Sequence, residues 1–303
     1  MAESHPQAGK WLHGLKADLS VQQAGPRLLE GRTQQVLQWL QRLEQHPSDD
    51  EAVHQLRVSV RRTEAAMWLL RPCLKRKLYR HARDTLRVLR RAVSSARDAD
   101  VLMADVQKRL ELASDTTQPG LDLILGFLLS RRLHLQLQPL PLSASQFAEQ
   151  AEAWQAALTR SKSQAFGPLA QKALREALRR LDNSLTTNLS DGAALHAVRI
   201  AAKRLRYVLE IVGPSLDPRL IEDIYPQVEM LQELLGQVND AHTAIGWLTM
   251  LRSSLKCLGQ ARRRYRAGLD SLIRSKQRQI AQHREPFQNW LTHWQNQSPP
   301  SLN

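Results

Sequence analysis

Apolar residues recur along the chain at helical spacing, and no stretch alternates convincingly between apolar and polar residues with a period of two. Prolines fall mostly between these periodic segments, as they do between the helices of a bundle. Ser48 or Asp49 is expected to cap the second helix, and Ser190 or Asp191 the helix from residue 192. The pattern predicts an all-α fold with helices at roughly 27–46, 50–70, 74–95, 98–113, 119–136, 145–160, 166–188, 192–212, 218–235, 238–257 and 259–284.

The composition of the 303-residue chain excludes several classes of protein. Apolar residues make up 42%, which is typical of a globular chain rather than a disordered basic tail. Cys73 and Cys257 are too few for a disulfide framework, so we expect a cytoplasmic setting. The N-terminus lacks the basic stretch and apolar core of a signal peptide. The longest apolar run, 121–129, is far shorter than the roughly 20 residues that span a bilayer, so no membrane is expected as a partner.

The charge of the chain indicates a polyanionic partner. Lys and Arg number 43 against 29 Asp and Glu, giving a net charge of +14 and a pI of about 10.4. The excess is uneven: residues 54–109 hold 15 Lys and Arg against 5 acids, whereas 196–251 hold 5 against 7. Residues 252–284 hold 10 Lys and Arg against 1 acidic residue. Arg262 and Arg263 in this segment are therefore candidates for anion contacts, although weaker ones than the cations of the repeated segments described below. Whether the Arg262–Arg264 run faces the ligand or solvent stays open.

Two pairs of similar segments indicate an internal duplication. The segment from His54 is similar to that from His196, and the segment around Asp98 is similar to that around Asp240. Both pairs are offset by 142 residues, and each histidine precedes its aspartate by 44 residues. Two separate matches at one offset predict a duplicated helical unit.

Each repeated histidine begins a stripe of cations at helical spacing. Positions i, i+3 and i+7 share one face of a helix, so each stripe would present its charges on one side. Guanidinium and ammonium groups at turn spacing suit an extended anion with repeating charges. A solvated basic face, or structural residues kept by a duplicated scaffold, would give the same pattern. The stripes are His54, Arg57 and Arg61 in the first half and His196, Arg199, Lys203 and Arg206 in the second.

Four segments resemble the paired signatures of the CHAD family, the conserved-histidine α-helical domain. They are VHQLRVSVRR at 53–62, ARDADV at 96–101, LHAVRIAAKRLRYVLE at 195–210 and LQELLGQVND at 231–240. The resemblance covers about residues 27–295. One departure is Val93 and Ser94, which stand where the family has Leu-Gly, as Leu235 and Gly236 do in the second half. That departure puts in doubt the tight packing of the turn at this position. It does not affect the stripes of cations.

The resemblance implies two four-helix-bundle-like halves, about 27–138 and 145–295, related by a pseudo-twofold around a basic central cavity. Residues 1–26 would be an N-terminal extension and 296–303 a C-terminal tail. It also implies binding of inorganic polyphosphate and association with polyphosphate granules. Asp98 and Asp240 would be structural, holding a helix start or an arginine. The implied polyphosphate contacts are His54, Arg57, Arg61, Arg62, His196, Arg199, Lys203 and Arg206, with Arg90, Arg91 and Arg97 as weaker additions.

Enzymatic function is not expected, because the sequence lacks a phosphate loop, a nucleophile elbow and paired Cys-x-x-Cys metal ligands. Glu51 and His54 form a single E-x-x-H, but Ala193 replaces the carboxylate in the second half, so no di-iron site is expected. We expect no catalytic residues, no metal and no cofactor. Nonspecific binding of nucleic acid is the main alternative, since +14 attracts any phosphate backbone. The third alternative is a structural adaptor, in which the cations pair with carboxylates of the same protein.

Overall fold

The computed structural model describes residues 9–12, 14–136, 139–187, 189 and 192–296, apart from the side chains of 95–97 and 135–136. Regular structure within these residues is helical, and the one β-feature is an isolated bridge between Ser20 and Ala165. The all-α prediction is confirmed. The α-helices are α1 (Val21–Gln45), α2 (Asp50–Leu70), α3 (Arg76–Leu110), α4 (Gln118–Gln136), α5 (Ala144–Thr159), α6 (Phe166–Leu185), α7 (Gly192–Val212), α8 (Tyr225–Ser254), α9 (Arg263–Gln282) and α10 (Arg284–Asn296).

The described chain divides into two compact units. Unit 1 holds the described residues up to Val93 together with Leu140–Gln232, and unit 2 holds Ser94–Pro139 together with Glu233–Asn296. Each unit therefore takes residues from both predicted halves of the sequence. None of the described helices is long and apolar enough to cross a membrane.

Unit 1 is a helical bundle in which α1 packs on α2 and α5, and α7 packs on α6 and α2. Leu28 of α1, Leu56 of α2 and Val198 of α7 are fully buried in its core. These apolar positions belong to stripes at helical spacing, which leave the opposite faces of α2 and α7 for polar side chains. Asp49 caps α2 as predicted, because its carboxylate accepts a hydrogen bond from the Ala52 amide at 2.9 Å. The predicted cap at Ser190 or Asp191 lies outside the described residues.

Helix α1 begins six residues earlier than predicted, at Val21 rather than residue 27. The Gln23 side chain accepts a hydrogen bond from the Ser20 amide at 3.2 Å and so stabilises this earlier start. Pro26 lies inside the helix. The segment before α1 contacts this helix, since the buried Arg32 guanidinium donates to the carbonyl oxygens of Gly9 and Lys10.

Unit 2 is organised around the packing of α4 on α9. A Cβ on Gly120 of α4 would lie 2.8 Å from the Cα of Gly268 of α9, so the two helices cross in direct backbone contact. Ile124 and Leu128, which follow on α4, are buried in the same core as Leu269 of α9. The close approach at the glycines therefore continues into an apolar interface.

Helix α10 lies beyond the last predicted helix. Its Trp290 and Trp294 are both buried, and their rings are stacked with centres 5.3 Å apart. Residues four apart share a helix face, so the pair gives α10 an apolar side with which to pack.

Helices α3 and α8 are each continuous where the sequence predicted a break, near 95–98 and 235–238 respectively. Both breaks are therefore wrong. The buried side chains of Val93 and Leu102 on α3, and of Leu235 and Ala241 on α8, continue the helical pattern through these positions. A Cβ on Gly236 would have nothing within 4 Å, so the family's Leu-Gly position needs no tight turn in this fold.

Candidate functional site

Unit 1 contains a cavity of about 440 Å³ bounded by α2, α3 and α7. Seven of its lining side chains are Arg or Lys, whereas Glu64 is the one carboxylate among the described lining residues. The seven cations are Arg61, Arg83, Arg87, Arg90, Arg199, Lys203 and Arg204, and His196 lines the cavity beside them. Such an excess of positive charge on three packed helices creates a strong attraction for anions.

Helix α7 contributes most of the predicted second stripe. His196, Arg199 and Lys203 all line the cavity, as their i, i+3, i+7 spacing requires for one helix face. Tyr207 takes the next position on that face. Arg206 instead donates from Nε to the Tyr225 hydroxyl at 2.9 Å and is not among the lining residues.

Helix α2 contributes Arg61, while the described residues His54, Arg57 and Arg62 are not among those that line the cavity. The cavity meets the second half of α2, beyond the repeated histidine. Burial lowers the pKa of Arg61 to about 10, and the charges of Arg57 and Arg90 act in the same direction. Arg61 therefore stays charged at neutral pH in surroundings that are already positive.

A buried carboxylate, Glu210 of α7, holds two of the predicted contacts. Arg62 Nε lies 2.7 Å from Glu210 Oε2, and Arg206 Nε lies 3.4 Å from Oε1. The Tyr225 hydroxyl donates to the same carboxylate at 3.1 Å, and burial together with Glu210 raises the pKa of this tyrosine. This network joins α2 to α7, so in the structure Arg62 and Arg206 stabilise the walls of the cavity.

Helix α3 supplies Arg90, one of the weaker candidates, together with Arg83 and Arg87, which the sequence motifs did not indicate. Arg83, Arg87 and Arg90 line the cavity at i, i+4 and i+7, about 10.5 Å along the helix from first to last. Their spacing was visible in the sequence, but nothing local showed that this face of α3 meets α7. Arg91 is exposed and is not among the lining residues, and the side chain of Arg97 lies outside the described part of the chain.

Glu64 partly offsets the positive charge of the cavity. Its carboxylate binds Arg90, with Nε 3.0 Å from Oε1, and both side chains keep about a quarter of their surface exposed, 27% for Arg90 and 25% for Glu64. An acidic group at this point repels an anionic ligand and competes with it for Arg90.

An aromatic ring forms part of the cavity floor. Trp68 is buried, and the guanidinium carbons of Arg71 and Arg204 lie 4.3 and 5.2 Å from its ring centre. Glu176 forms an ion pair with Arg71 and so holds Arg71 against the Trp68 ring. The cation–π contacts orient Arg204 toward the cavity, and the covered ring offers little surface on which a ligand could stack.

The repeated aspartates Asp98 and Asp240 lie elsewhere. Both line a small cavity of about 20 Å³ in unit 2, together with Lys276. Each lies within a continuous helix, so neither holds a helix start. Arg262 and Arg263 are also in unit 2, exposed at the beginning of α9.

An all-α chain with such a cavity has the features of an anion-binding helical domain. The chain belongs to the CHAD family, since the family model for the CHAD domain matches residues 27–249. Proteins of this family are associated with polyphosphate binding.

Two solved structures are similar in fold. The crystal structure of the CHAD domain from the plant Ricinus communis has a TM-score of 0.71 and 20% identity, covering 95% of this chain and 96% of that one. PptA from Streptomyces chartreusis has a TM-score of 0.59 and 17% identity, covering 90% of this chain and 100% of that one. Identities this low show the fold alone. A comparison with curated protein sequences gives no significant match.

Proposed function

We propose that this protein binds inorganic polyphosphate in the cavity of unit 1 and does not transform it. The observation that carries the proposal is the convergence of seven cations from three helices on one cavity with a single carboxylate among its described lining residues. A linear phosphate chain presents a negative charge at every unit, and it matches cations that repeat at each helical turn. Association with polyphosphate granules would follow from such binding.

The α3 side of the cavity suggests how a long chain would continue beyond it. Arg76 and Arg80 precede Arg83 by seven and three residues, so they extend the same face of α3. Both are exposed. A chain held in the cavity could therefore follow α3 toward its N-terminus.

Binding without catalysis is proposed from the chemistry of the lining side chains. Metal-assisted phosphoryl transfer depends on clustered oxygen ligands for the ion. The one carboxylate in the described lining, Glu64, is bound to Arg90. The lining is therefore suited to holding phosphates rather than to activating a nucleophile.

Nucleic acid would be attracted by the same charge but fits the cavity less well. Single-stranded nucleic acids bind through bases stacked on accessible aromatic rings. Of the three aromatic residues that line the cavity, Trp68 and Tyr207 keep only 7% and 8% of their surface exposed, and Tyr79 alone is partly exposed. We therefore expect preference for polyphosphate over DNA of equal charge.

The proposal is tested by binding of labelled long-chain polyphosphate over a KCl series, with single- and double-stranded DNA of equal charge as competitors. The expected result is tight binding that either DNA displaces only weakly. Equal displacement by DNA would show that net charge alone acts, and the proposed function would be wrong.

A pair of variants locates the site. Arg199→Gln with Lys203→Gln removes two cavity cations, and we expect affinity to fall at least about tenfold and the salt slope by about 1.4, or roughly 0.7 for each lost contact. Arg27→Gln with Arg179→Gln removes the same charge from exposed positions of unit 1 and should change affinity less than about twofold. Equal losses in both variants would contradict a site in the cavity.

A further inference from the structure

Unit 2 carries a dense basic surface around the end of α8 and the beginning of α9, here called the α8–α9 basic surface. Residues 252–266 contain six cations and no acidic residue. All six are exposed. They are Arg252, Lys256, Arg262, Arg263, Arg264 and Arg266.

Few of these charges are neutralised within the described structure. Asp270 binds both Arg252, at 3.1 Å, and Arg266, at 3.4 Å. Among the described residues, no carboxylate forms an ion pair with the other four cations. The surface therefore keeps a concentrated positive potential.

The backbone that carries these cations is anchored in unit 2. Leu255, within the segment, and Leu269, three residues beyond it, are buried in the core of unit 2. Gly259, with a φ of +53°, allows the sharp turn between α8 and α9. The contact between Gly120 and Gly268 then fixes the beginning of α9 on α4. The cations are thus presented on ordered elements, which reduces the entropy lost when an anion binds.

The placement of these arginines opposes local helix stability. The first turn of α9 holds Arg263, Arg264 and Arg266 and no acidic residue, although a helix N-terminus favours negative charge. Sequences break such local rules mostly where function requires it. A bound anion would supply the negative charge that this turn lacks.

We propose that the α8–α9 basic surface is a second binding surface for linear polyphosphate, separate from the cavity of unit 1. The inference rests on the proposed function for the identity of the ligand. The surface is open and its charges are spread along 15 residues, so it suits an extended chain better than a short anion. A long chain contacts several of these cations at once, so it would bind this surface more tightly than a short anion does.

The test uses calorimetric titration of the full chain with tripolyphosphate and with long-chain polyphosphate. For Arg262→Gln with Arg263→Gln, we expect long-chain affinity to fall about tenfold and its salt slope by about 1.4, while tripolyphosphate affinity changes less than about twofold. Arg274→Gln with Arg278→Gln is the matched control, because it removes two exposed charges from the same helix. The control should leave both affinities within about twofold of the original protein.

The outcomes separate this inference from the proposed function. Unchanged long-chain affinity in the Arg262/Arg263 variant, or an equal loss of affinity in the control, would refute binding at the α8–α9 basic surface. Neither result would contradict binding in the cavity of unit 1. The same variant is also titrated with single-stranded DNA, and loss of DNA binding with retained polyphosphate binding would overturn the inference, since the surface would then bind nucleic acid. Failure of the unaltered protein to bind either phosphate would instead refute the proposed function.

Discussion

Arg61 and Arg62, one position apart, and Arg204 and Arg206, two positions apart, have different partners because successive helical residues are rotated by about 100°. Arg61 lines the cavity, whereas Arg62 binds the buried Glu210. On α7, Arg204 lines the cavity and Arg206 binds Glu210. Each motif therefore combines cations that line the cavity with an arginine that joins helices, since Arg62 binds Glu210 of α7 and Arg206 donates to Tyr225 of α8. Removing a helix-joining arginine would weaken the pairing of a buried carboxylate and destabilise the fold.

Glu64 sets a limit on the affinity of the cavity. Glu64→Gln keeps the shape of the side chain, removes its negative charge and turns the ion pair with Arg90 into a weaker, neutral hydrogen bond. We expect polyphosphate affinity to rise about three- to tenfold, because one repulsive charge is lost and Arg90 is held less strongly by its neighbour. Calorimetric titration at two KCl concentrations measures the change.

The matched control is Glu152→Gln, which removes the same charge from an exposed position on α5. Its affinity should stay within about twofold of the original protein. Weaker binding by Glu64→Gln would mean that Glu64 is needed to position Arg90, contrary to this prediction.

The long helices show which elements the sequence could predict. Helices α4, α5 and α7 lie within one residue of their predicted limits, because their apolar spacing and flanking residues agree. Ser94 in α3 and Gly236 in α8 suggested breaks, yet both helices continue through them. Burial of Val93 and Leu235 outweighs weak local helix propensity, and propensity alone does not report burial.

The candidate site was predictable to the extent that it lies on one helix face. The spacing of His196, Arg199 and Lys203 placed them together on α7. The approach of α3 to α7 depends on tertiary packing, so Arg83 and Arg87 could not be assigned to the same cavity. A local pattern shows which residues share a face, but not which other helix that face meets.

The crossing of α4 and α9 depends on two glycines. Gly120→Ala would place a Cβ 2.8 Å from the Cα of Gly268 and closer still to the Tyr265 carbonyl oxygen. Backbone atoms cannot yield as a side chain can, so we expect a loss of about 2–3 kcal/mol in the free energy of unfolding. Urea denaturation followed by circular dichroism measures it.

Gly126→Ala is the control on the same helix, since its Cβ would have nothing within 4 Å. We expect it to stabilise the protein by about 0.5–1 kcal/mol through helix propensity. Equal effects of the two substitutions would show that the helices do not cross in close contact at Gly120.

At the scale of the whole molecule, the net charge of +14 opposes folding and favours ligand binding. Some of the charge is paired within the fold, as in the buried contact of Arg132 with Asp100 at 2.8 Å. Cations clearly outnumber carboxylates in the lining of the unit 1 cavity and on the α8–α9 basic surface. The composition predicted a polyanionic partner, but only the fold shows where this excess of cations collects.

This charge predicts opposite effects of salt on the free and bound protein. Without ligand, raising KCl from about 20 to 300 mM screens the repulsion between cations, and the melting temperature should rise. With a fixed excess of polyphosphate, the same salt weakens binding, and stabilisation by the ligand falls as RT ln(1 + [L]/Kd) falls. The melting temperature of the complex should therefore decrease. Thermal unfolding followed by circular dichroism measures both, and a decrease in the free protein would mean that its ion pairs outweigh the repulsion.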